Sequence, residues 1–251
     1  LFLLVSGIAH GQTVFWTEGF IDAPCTSQNT NAHNYVSTNG TWTVTDIGVQ
    51  GTSENWWFVS STEFGMPAGS CGDGCLASPG TNTTLHVGSS PVALLCPTGD
   101  CGAAYNAGSP GGTDKRAESP TINCTGQSTI TLEFLYIMAG EAGADYCYLE
   151  YSTDNGTTWN LLSNPPQTNN SGCPGQGRWT SYSVPLPVAC DNNPNVKIGF
   201  HCGGGAGNFF TDFLGGSDES PARTRVREAR DVKADILAVA YWQRGQAAKY
   251  I

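Results

Sequence analysis

The sequence predicts an all-β protein, a jelly-roll-like β-sandwich, followed by an atypical, helix-prone C-terminal tail. Three observations carry that expectation. Short apolar runs recur between clusters of Gly, Pro and Asn from Thr13 to Phe210. Several runs alternate with period two, and no amphipathic helix of ordinary length interrupts them. Charged residues make up only 13% of the chain and glycine supplies 32 positions, which suits a turn-rich β protein rather than a disordered one. At 251 residues the chain fits one large all-β domain or two small ones, and a single domain of about 200 residues has a core that needs no metal.

Taken in order, the chain opens with LFLLVSGIAHGQT. Leu1 to Ile8 is apolar, and Ala9 and Gly11 are the small residues of a cleavage site before Gln12. Residues 1–11 therefore read as the remnant of a secretory signal peptide, with a buried first strand as the rival reading. The run is too short to span a membrane. Strand-like runs follow: WTVTDI from Trp42, WWFVSS from Trp56 and TTLHVG from Thr83. TITLEFLYIM runs from Thr129 to Met138, YCYLEYS from Tyr146, RWTSYSVPL from Arg178 and VKIGFHC from Val196. In the Thr129 run, Ile130, Leu132, Phe134 and Tyr136 share one face and Thr131 and Glu133 the other. Met66 to Asn82 and Gly108 to Asp114 read as long loops. Strands of this length and spacing, filling residues 12–214, are those of a sandwich.

Residues 215–251 break the pattern. Arg223, Arg225, Arg227, Arg230, Lys233, Arg244 and Lys249 are seven of the 11 basic residues. Ser220 is placed as an N-cap and Pro221 at the first helical position. Val226, Ala229, Val232, Ile236 and Val239 then fall at helical spacing. A genuine C-terminal helix is one explanation. A reading-frame error or truncation near Gly203 to Gly215, which would leave a sheet edge exposed, is the other and is favoured.

Charge and cysteine content narrow the function. The net charge is −10, and basic residues are sparse before the tail. A nucleic-acid groove and an anionic membrane surface both require clustered Lys and Arg, so neither is expected as a partner. Ten cysteines after a signal peptide read as disulfides of an exported chain. Cys71 with Cys75, in CGDGC, and Cys96 with Cys101, in CPTGDC, are expected to be local bridges. A four-Cys zinc site built from the same two pairs is the rival. The remaining cysteines cannot be paired from sequence.

STDNGTTW, Ser152 to Trp159, matches the Asp-box that recurs in sialidases. It also has a complete structural reading. Asp154, Asn155 and Gly156 suit a tight hairpin, the Asp accepts turn N–H groups, and Trp159 packs back over it. The sialidase reading fails on counting. There is one full copy, with STNGTW at Ser37 an imperfect echo lacking Asp, and before the tail only Arg116 and Arg178 are available for a three-arginine clamp.

An ordered set of segments resembles the jelly-roll modules of large secreted bacterial surface proteins, related in style to MAM and reelin-type sandwiches. These are VFWTEGF at Val14, NWWFVSS at Asn55, the CGDGC turn, TLHVG at Thr84 and KRAESP at Lys115. ITLEFLYI at Ile130, YLEYSTDNGTTW at Tyr148, GRWTSYSVPLP at Gly177 and NVKIGFHC at Asn195 complete it. The resemblance implies adhesion or glycan binding within a multidomain protein. It also implies a structural calcium in some members, held by an acidic residue near the first strand, here Glu18, and an Asp on the last. Asp212 is a poor match for the second.

Other chemistry is thinner. Glu133 and Glu150 lie on predicted strands and could share a sheet face, which makes them the only candidates for a glycosidase pair. AGSCG at Ala68 lacks the helix a nucleophile elbow needs. Cys71 with His86 or His201 could be imagined as a thiol pair, but Cys71 is claimed by a disulfide. His10, His33, His86 and His201 show no metal-ligand spacing. Trp56 and Trp57 point to opposite faces of one strand, one toward the core and one outward, and are the candidate sugar-stacking residues. Sequons at Asn39, Asn82, Asn123, Asn155 and Asn169 matter only in a host that glycosylates. The expected function is non-catalytic extracellular adhesion or carbohydrate binding, with a glycan or a cell-surface protein as partner. No cofactor is expected beyond the possible calcium. An exported hydrolase and a structural spacer are the rivals.

Overall fold

A computed structural model of the chain describes residues 13–20, 34–51, 55–60, 84–89, 112–139, 145–167, 180–204, 210–215 and 224–228. Cys71, Cys75, Cys96 and Cys101 lie outside these residues. So do residues 1–11, expected to be a leader, residues 66–82, expected to be a loop, and residues 229–251. In chain order the strands are β1 (Val14–Glu18), β2 (Asn34–Ser37), β3 (Gly40–Asp46), β4 (Asn55–Ser60), β5 (Thr84–Ser89) and β6 (Thr113–Glu118). Then come β7 (Ile130–Ala139), β8 (Tyr146–Ser152), β9 (Asn160–Ser163), β10 (Thr180–Pro185), β11 (Lys197–Gly204), β12 (Phe210–Gly215) and β13 (Thr224–Glu228). No helix among the described residues is long and apolar enough to cross a membrane.

The strands form two antiparallel sheets. The first has the order β1-β13-β7-β12-β5-β4, with β10 on the other edge of β7; the second has the order β2-β3-β6-β11-β8-β9. The period-two pattern of β7 is why it sits at the centre. Ile130, Leu132, Phe134 and Tyr136 are all buried on one face, and each large apolar side chain so buried contributes about 1.5–3 kcal/mol. Across the sandwich, Phe134 meets Phe200 of β11 edge-to-face at 5.4 Å. Trp42 stacks on Phe200 and tilts against Phe20. Inside the second sheet a Cys147–Cys202 disulfide joins β8 to β11, directly opposite one another in the ladder.

Polar groups also tie the two layers. Trp57 Nε1 of β4 donates to the Lys115 carbonyl of β6 at 3.2 Å, and the Asn55 N–H donates to Thr113 Oγ1 at 2.9 Å. Lys115 itself is 1% exposed and sends its ammonium sideways to Asp46 at 2.5 Å. Such an arrangement buries the aliphatic stem and keeps the charge paired. The loop expected over Gly108 to Asp114 is corrected at its end: Thr113 and Asp114 open β6, which pairs with β3 on one side and β11 on the other.

The tail expectation needs correction. Residues 224–228 do not start a helix. They are β13, paired with β1 on one side and with Ile130–Glu133 of β7 on the other. β12 pairs with the rest of that β7 edge, Tyr136–Ala139, so the edge is occupied rather than exposed. The physical reason is tertiary. TRVRE fits a two-residue period as well as a helical one, and unpaired backbone groups of β1 and β7 offer it a ladder on both sides.

Two connections carry the chain between the sheets at one end. Residues 119–129 lead from β6 to β7, and residues 186–196 lead from β10 to β11. They run side by side. The Ser119 N–H donates to Ile198 O, Ile122 N–H to Val196 O, Cys124 N–H to Asn193 O and Asn192 N–H to Gln127 O, all within 2.7–2.9 Å.

Candidate functional site on the outer face of the second sheet

The alternation that buries Cys147 and Leu149 turns Tyr146, Tyr148 and Glu150 of β8 outward. On β11 the same rule turns Gly199, His201 and Gly203 outward, and on β6 Asp114, Arg116 and Glu118. Register then builds a grid. Tyr148, His201, Arg116 and Thr45 form one row, and Glu150, Gly199, Glu118 and Thr43 the next. Tyr146, Gly203 and Asp114 form a third.

The charged members form a continuous chain. His201 Nε2 meets Asp114 Oδ1 at 2.5 Å and Nδ1 meets Glu150 Oε1 at 3.1 Å. Arg116 Nη1 donates to Glu150 Oε2 at 3.0 Å, and its Nε and Nη2 donate to Glu118 Oε1 at 3.2 and 3.0 Å. An imidazole with a carboxylate at each nitrogen is suited to the doubly protonated form, which donates to both. Burial opposes that charge on His201, but the hydrogen bonds and charges of Glu150 and Asp114 outweigh it, so its pKa is raised above the ordinary value. Burial likewise pushes the Glu150 pKa up, yet His201 and Arg116 together bring it below the ordinary carboxylate value.

Aromatic rings frame this network. Tyr146 and Tyr148 stack at 4.7 Å with an interplanar angle of 19°, and both meet the His201 ring edge-on. Both tyrosines are half-buried. On the other flank the Trp159 ring lies 4.1 Å from the Arg116 guanidinium carbon, a cation–π contact. Two of the three glycines of β11, Gly199 and Gly203, make room for these groups. A Cβ on Gly199 would come 2.6 Å from Arg116 Cδ and 2.8 Å from Trp159 Cζ3. One on Gly203 would come 2.5 Å from Tyr146 Oη.

Trp159 is delivered by the STDNGTTW hairpin, which folds as its residue types dictate. Asn155 and Gly156 take positive φ, 59° and 90°. Asp154 Oδ1 accepts from Ser152 Oγ and the Thr158 N–H at 2.8 Å each, and Oδ2 accepts from Thr158 Oγ1 at 2.7 Å. Those bonds, the Thr158 hydroxyl first, hold the Asp154 carboxyl at a pKa of about 2. The Trp159 indole N–H closes the turn on Gly156 O at 3.0 Å.

The residues singled out from sequence fare differently. Of the tryptophan pair expected to face opposite ways, Trp57 is the inward one, 0% exposed in the core, which leaves Trp56 as the sugar-stacking candidate of the two. Trp56 is half-buried on the opposite side of β4. Glu133 and Glu150 do not share a face. Glu133 belongs to β7 in the first sheet and Glu150 to β8 in the second. Their neighbours Phe134 and Leu149 both enter the core, so the two carboxylates point out of opposite sides of the sandwich.

Glu18 is 3% exposed and does not fit a calcium ligand. Its Oε1 accepts from the N–H groups of Gly19 and Phe20 at 3.0 Å, and its Oε2 accepts from Ser37 Oγ at 2.6 Å, Trp42 Nε1 at 3.1 Å and Asn39 Nδ2 at 3.3 Å. Both oxygens face hydrogen-bond donors, which a cation would repel. Asp212 lies on β12, which follows β13, the neighbour of β1, along the same edge of β7. Among the described residues no group of three or more His, Cys, Asp or Glu could hold a metal ion. Sequence reasoning missed Asp114, Arg116, Glu118, Tyr146, Tyr148 and His201 as a group. The one local signal was YCYLEY, whose alternation places two tyrosines and Glu150 on a single face.

No family model and no curated protein sequence matches the chain. Among solved structures it is similar to the K3 cleaved adhesin domain of Lys-gingipain from Porphyromonas gingivalis, at 16% identity and TM-score 0.45 over 87% of this chain and all of that domain. The K1 cleaved adhesin domain of the same protein aligns at 11% identity and TM-score 0.41, over 86% of this chain and 98% of that one. A carbohydrate-binding module described for specific mannan recognition aligns at 8% identity and TM-score 0.35, over 88% of this chain and all of that one. These are likenesses of overall shape and assign no role to any residue here.

Proposed function

We propose that the chain is a non-catalytic binding module of a larger exported protein, secreted or at the cell surface, and that the outer face of β8, β11 and β6 takes a carbohydrate. The observation that carries this reading is the half-buried Tyr146–Tyr148 stack set beside the ionic network of His201, Arg116 and Glu150. Aromatic faces stack on sugar rings, and charged groups locked by their neighbours present hydroxyl partners without reorganisation. Glu150 supports binding rather than hydrolysis. A glycosidase acid needs a raised pKa, whereas His201 and Arg116 bring the Glu150 pKa below the ordinary carboxylate value. The Cys147–Cys202 disulfide supports an oxidising compartment.

The test is a glycan array probed with the whole chain, followed by calorimetry of each hit. A reproducible glycan whose affinity falls at least tenfold in Tyr148→Ala, and is unchanged in Trp56→Ala, supports the site. Loss in Trp56→Ala alone would move the site to the other sheet. No hit on glycan or protein arrays would leave the spacer reading standing. Hydrolysis of a bound glycan that Glu150→Gln abolishes would replace binding by catalysis.

A further inference from the structure

We propose that Cys124 and Cys190 are joined by a disulfide in the mature protein, fastening the β6–β7 connection to the β10–β11 connection. Both residues are 0% exposed and unbridged in the structure. They flank one backbone unit. The Cys124 N–H donates to Asn193 O at 2.9 Å, and the Asn193 N–H donates to Cys190 O at 3.3 Å. Two further ladder bonds on either side, Ile122 N–H to Val196 O and Asn192 N–H to Gln127 O, hold the connections in that register. A second sign of proximity is electrostatic. Burial pushes both thiols up to about 12, and the charge of Cys190 adds to the effect on Cys124. The chain also carries Cys147–Cys202, so it is read as maturing where such bonds persist.

The chemistry is thiol–disulfide exchange with an oxidised dithiol carrier of the export pathway. One cysteine thiolate attacks the carrier disulfide, breaking it and forming a mixed disulfide. The second thiolate attacks the protein sulfur of that mixed disulfide and releases the carrier as a dithiol. Two electrons and two protons leave with the carrier. Thiols held at about 12 are inert near neutral pH. The bond therefore closes during folding, before the connections pack. Its mechanical role differs from that of Cys147–Cys202, which lies within one sheet. The new bond would join two neighbouring connections at one end of the sandwich and enclose β7 through β10, a long loop whose closure restricts the unfolded chain strongly.

The experiment is peptide mapping of the full chain exported through an oxidising compartment. The protein is denatured with excess iodoacetamide and no reductant, digested, and read by mass spectrometry. The expected result is one linked species containing the Cys124 and Cys190 peptides, unalkylated and separable by reduction. Recovery of either cysteine alkylated as a free thiol, or linked to any other of the ten cysteines, overturns the proposal. Thermal unfolding gives a second reading. Cys124→Ala and Cys190→Ala should each lower Tm by roughly 10 °C, and the double variant by no more than either alone. Additive losses would mark two independent packing residues and overturn it. Should the variants not fold, the mapping decides alone.

Discussion

The chain contains two hairpins written in nearly the same letters, STNGTW at Ser37 and STDNGTTW at Ser152, and they do opposite things. In the first, Trp42 is 2% exposed and points into the core, where its indole N–H reaches the buried Glu18. In the second, Trp159 stays on the outside, bonds its own turn and covers Arg116. Ser37 Oγ accepts the Asn39 N–H and donates to Glu18. Ser152 Oγ donates to Asp154, the residue the first hairpin lacks. A local motif thus specifies a turn but not a face. Which side the tryptophan takes follows from the register of the strands around it, and register inverts with a single residue. The two carboxylates attached to these hairpins differ in the same way. Glu18 is held by neutral donors and serves the fold. Glu150 is held by His201 and Arg116 on the outer face of the second sheet.

The largest expected effect is on the first hairpin. Trp42→Ala should cost about 3–5 kcal/mol in chemical denaturation, since it empties a core site against Phe20 and Phe200. A loss below about 1 kcal/mol would mean the core does not depend on this ring. Next comes Glu18→Leu, which strands the Ser37 hydroxyl, the Trp42 indole and two backbone N–H groups. About 3 kcal/mol is expected, with Glu18→Gln costing less because the amide oxygen still accepts. Added calcium should not raise the Tm of the wild type, and a saturable rise abolished by Glu18→Gln would restore the metal reading.

On the second hairpin, Trp159→Ala should cost only about 1 kcal/mol of stability, the scale of a partly exposed cation–π contact. Equal losses for Trp42→Ala and Trp159→Ala would erase the comparison. The outer network also carries a pH signature. His201 has a raised pKa, so its contribution is complete below the ordinary value of 6.5 and fades as pH climbs through the higher folded value. Glu150 has a lowered pKa, so its contribution is complete above the ordinary value of 4.5 and fades as pH falls through the lower folded value. The Tm difference between wild type and His201→Gln should therefore be greatest between those two values and shrink on the alkaline side. A flat difference up to pH 9 would contradict the network. The smallest effect is local. Asp154 should titrate at about 2 by NMR, and Thr158→Val should raise that midpoint.

The strands were legible where the pattern was local. Ile130, Leu132, Phe134 and Tyr136 alternate, and all four are buried on one face of β7. YCYLEYS and VKIGFHC became β8 and β11. The turn chemistry of Asp154, Asn155 and Gly156 was equally plain. β6 and β13 were harder. Lys115 and Arg116 look solvated until Asp46, Glu118 and Glu150 arrive from other strands. TRVRE looks helical until β1 and β7 flank it.

By itself, then, the sequence determined an all-β chain, the period of its main strands, one tight turn and a cysteine content suited to export. Each of these depends on neighbours within a few residues, where sterics and apolar periodicity act directly. Only the tertiary structure decided that Glu133 and Glu150 are on opposite sides and that Trp57 is core. It alone brought Asp114, Arg116, Glu150 and His201 into one network and ran the connections that carry Cys124 and Cys190 side by side. Those relations join residues far apart in the chain, and the pairing order of strands, which no local propensity encodes, sets which of them meet.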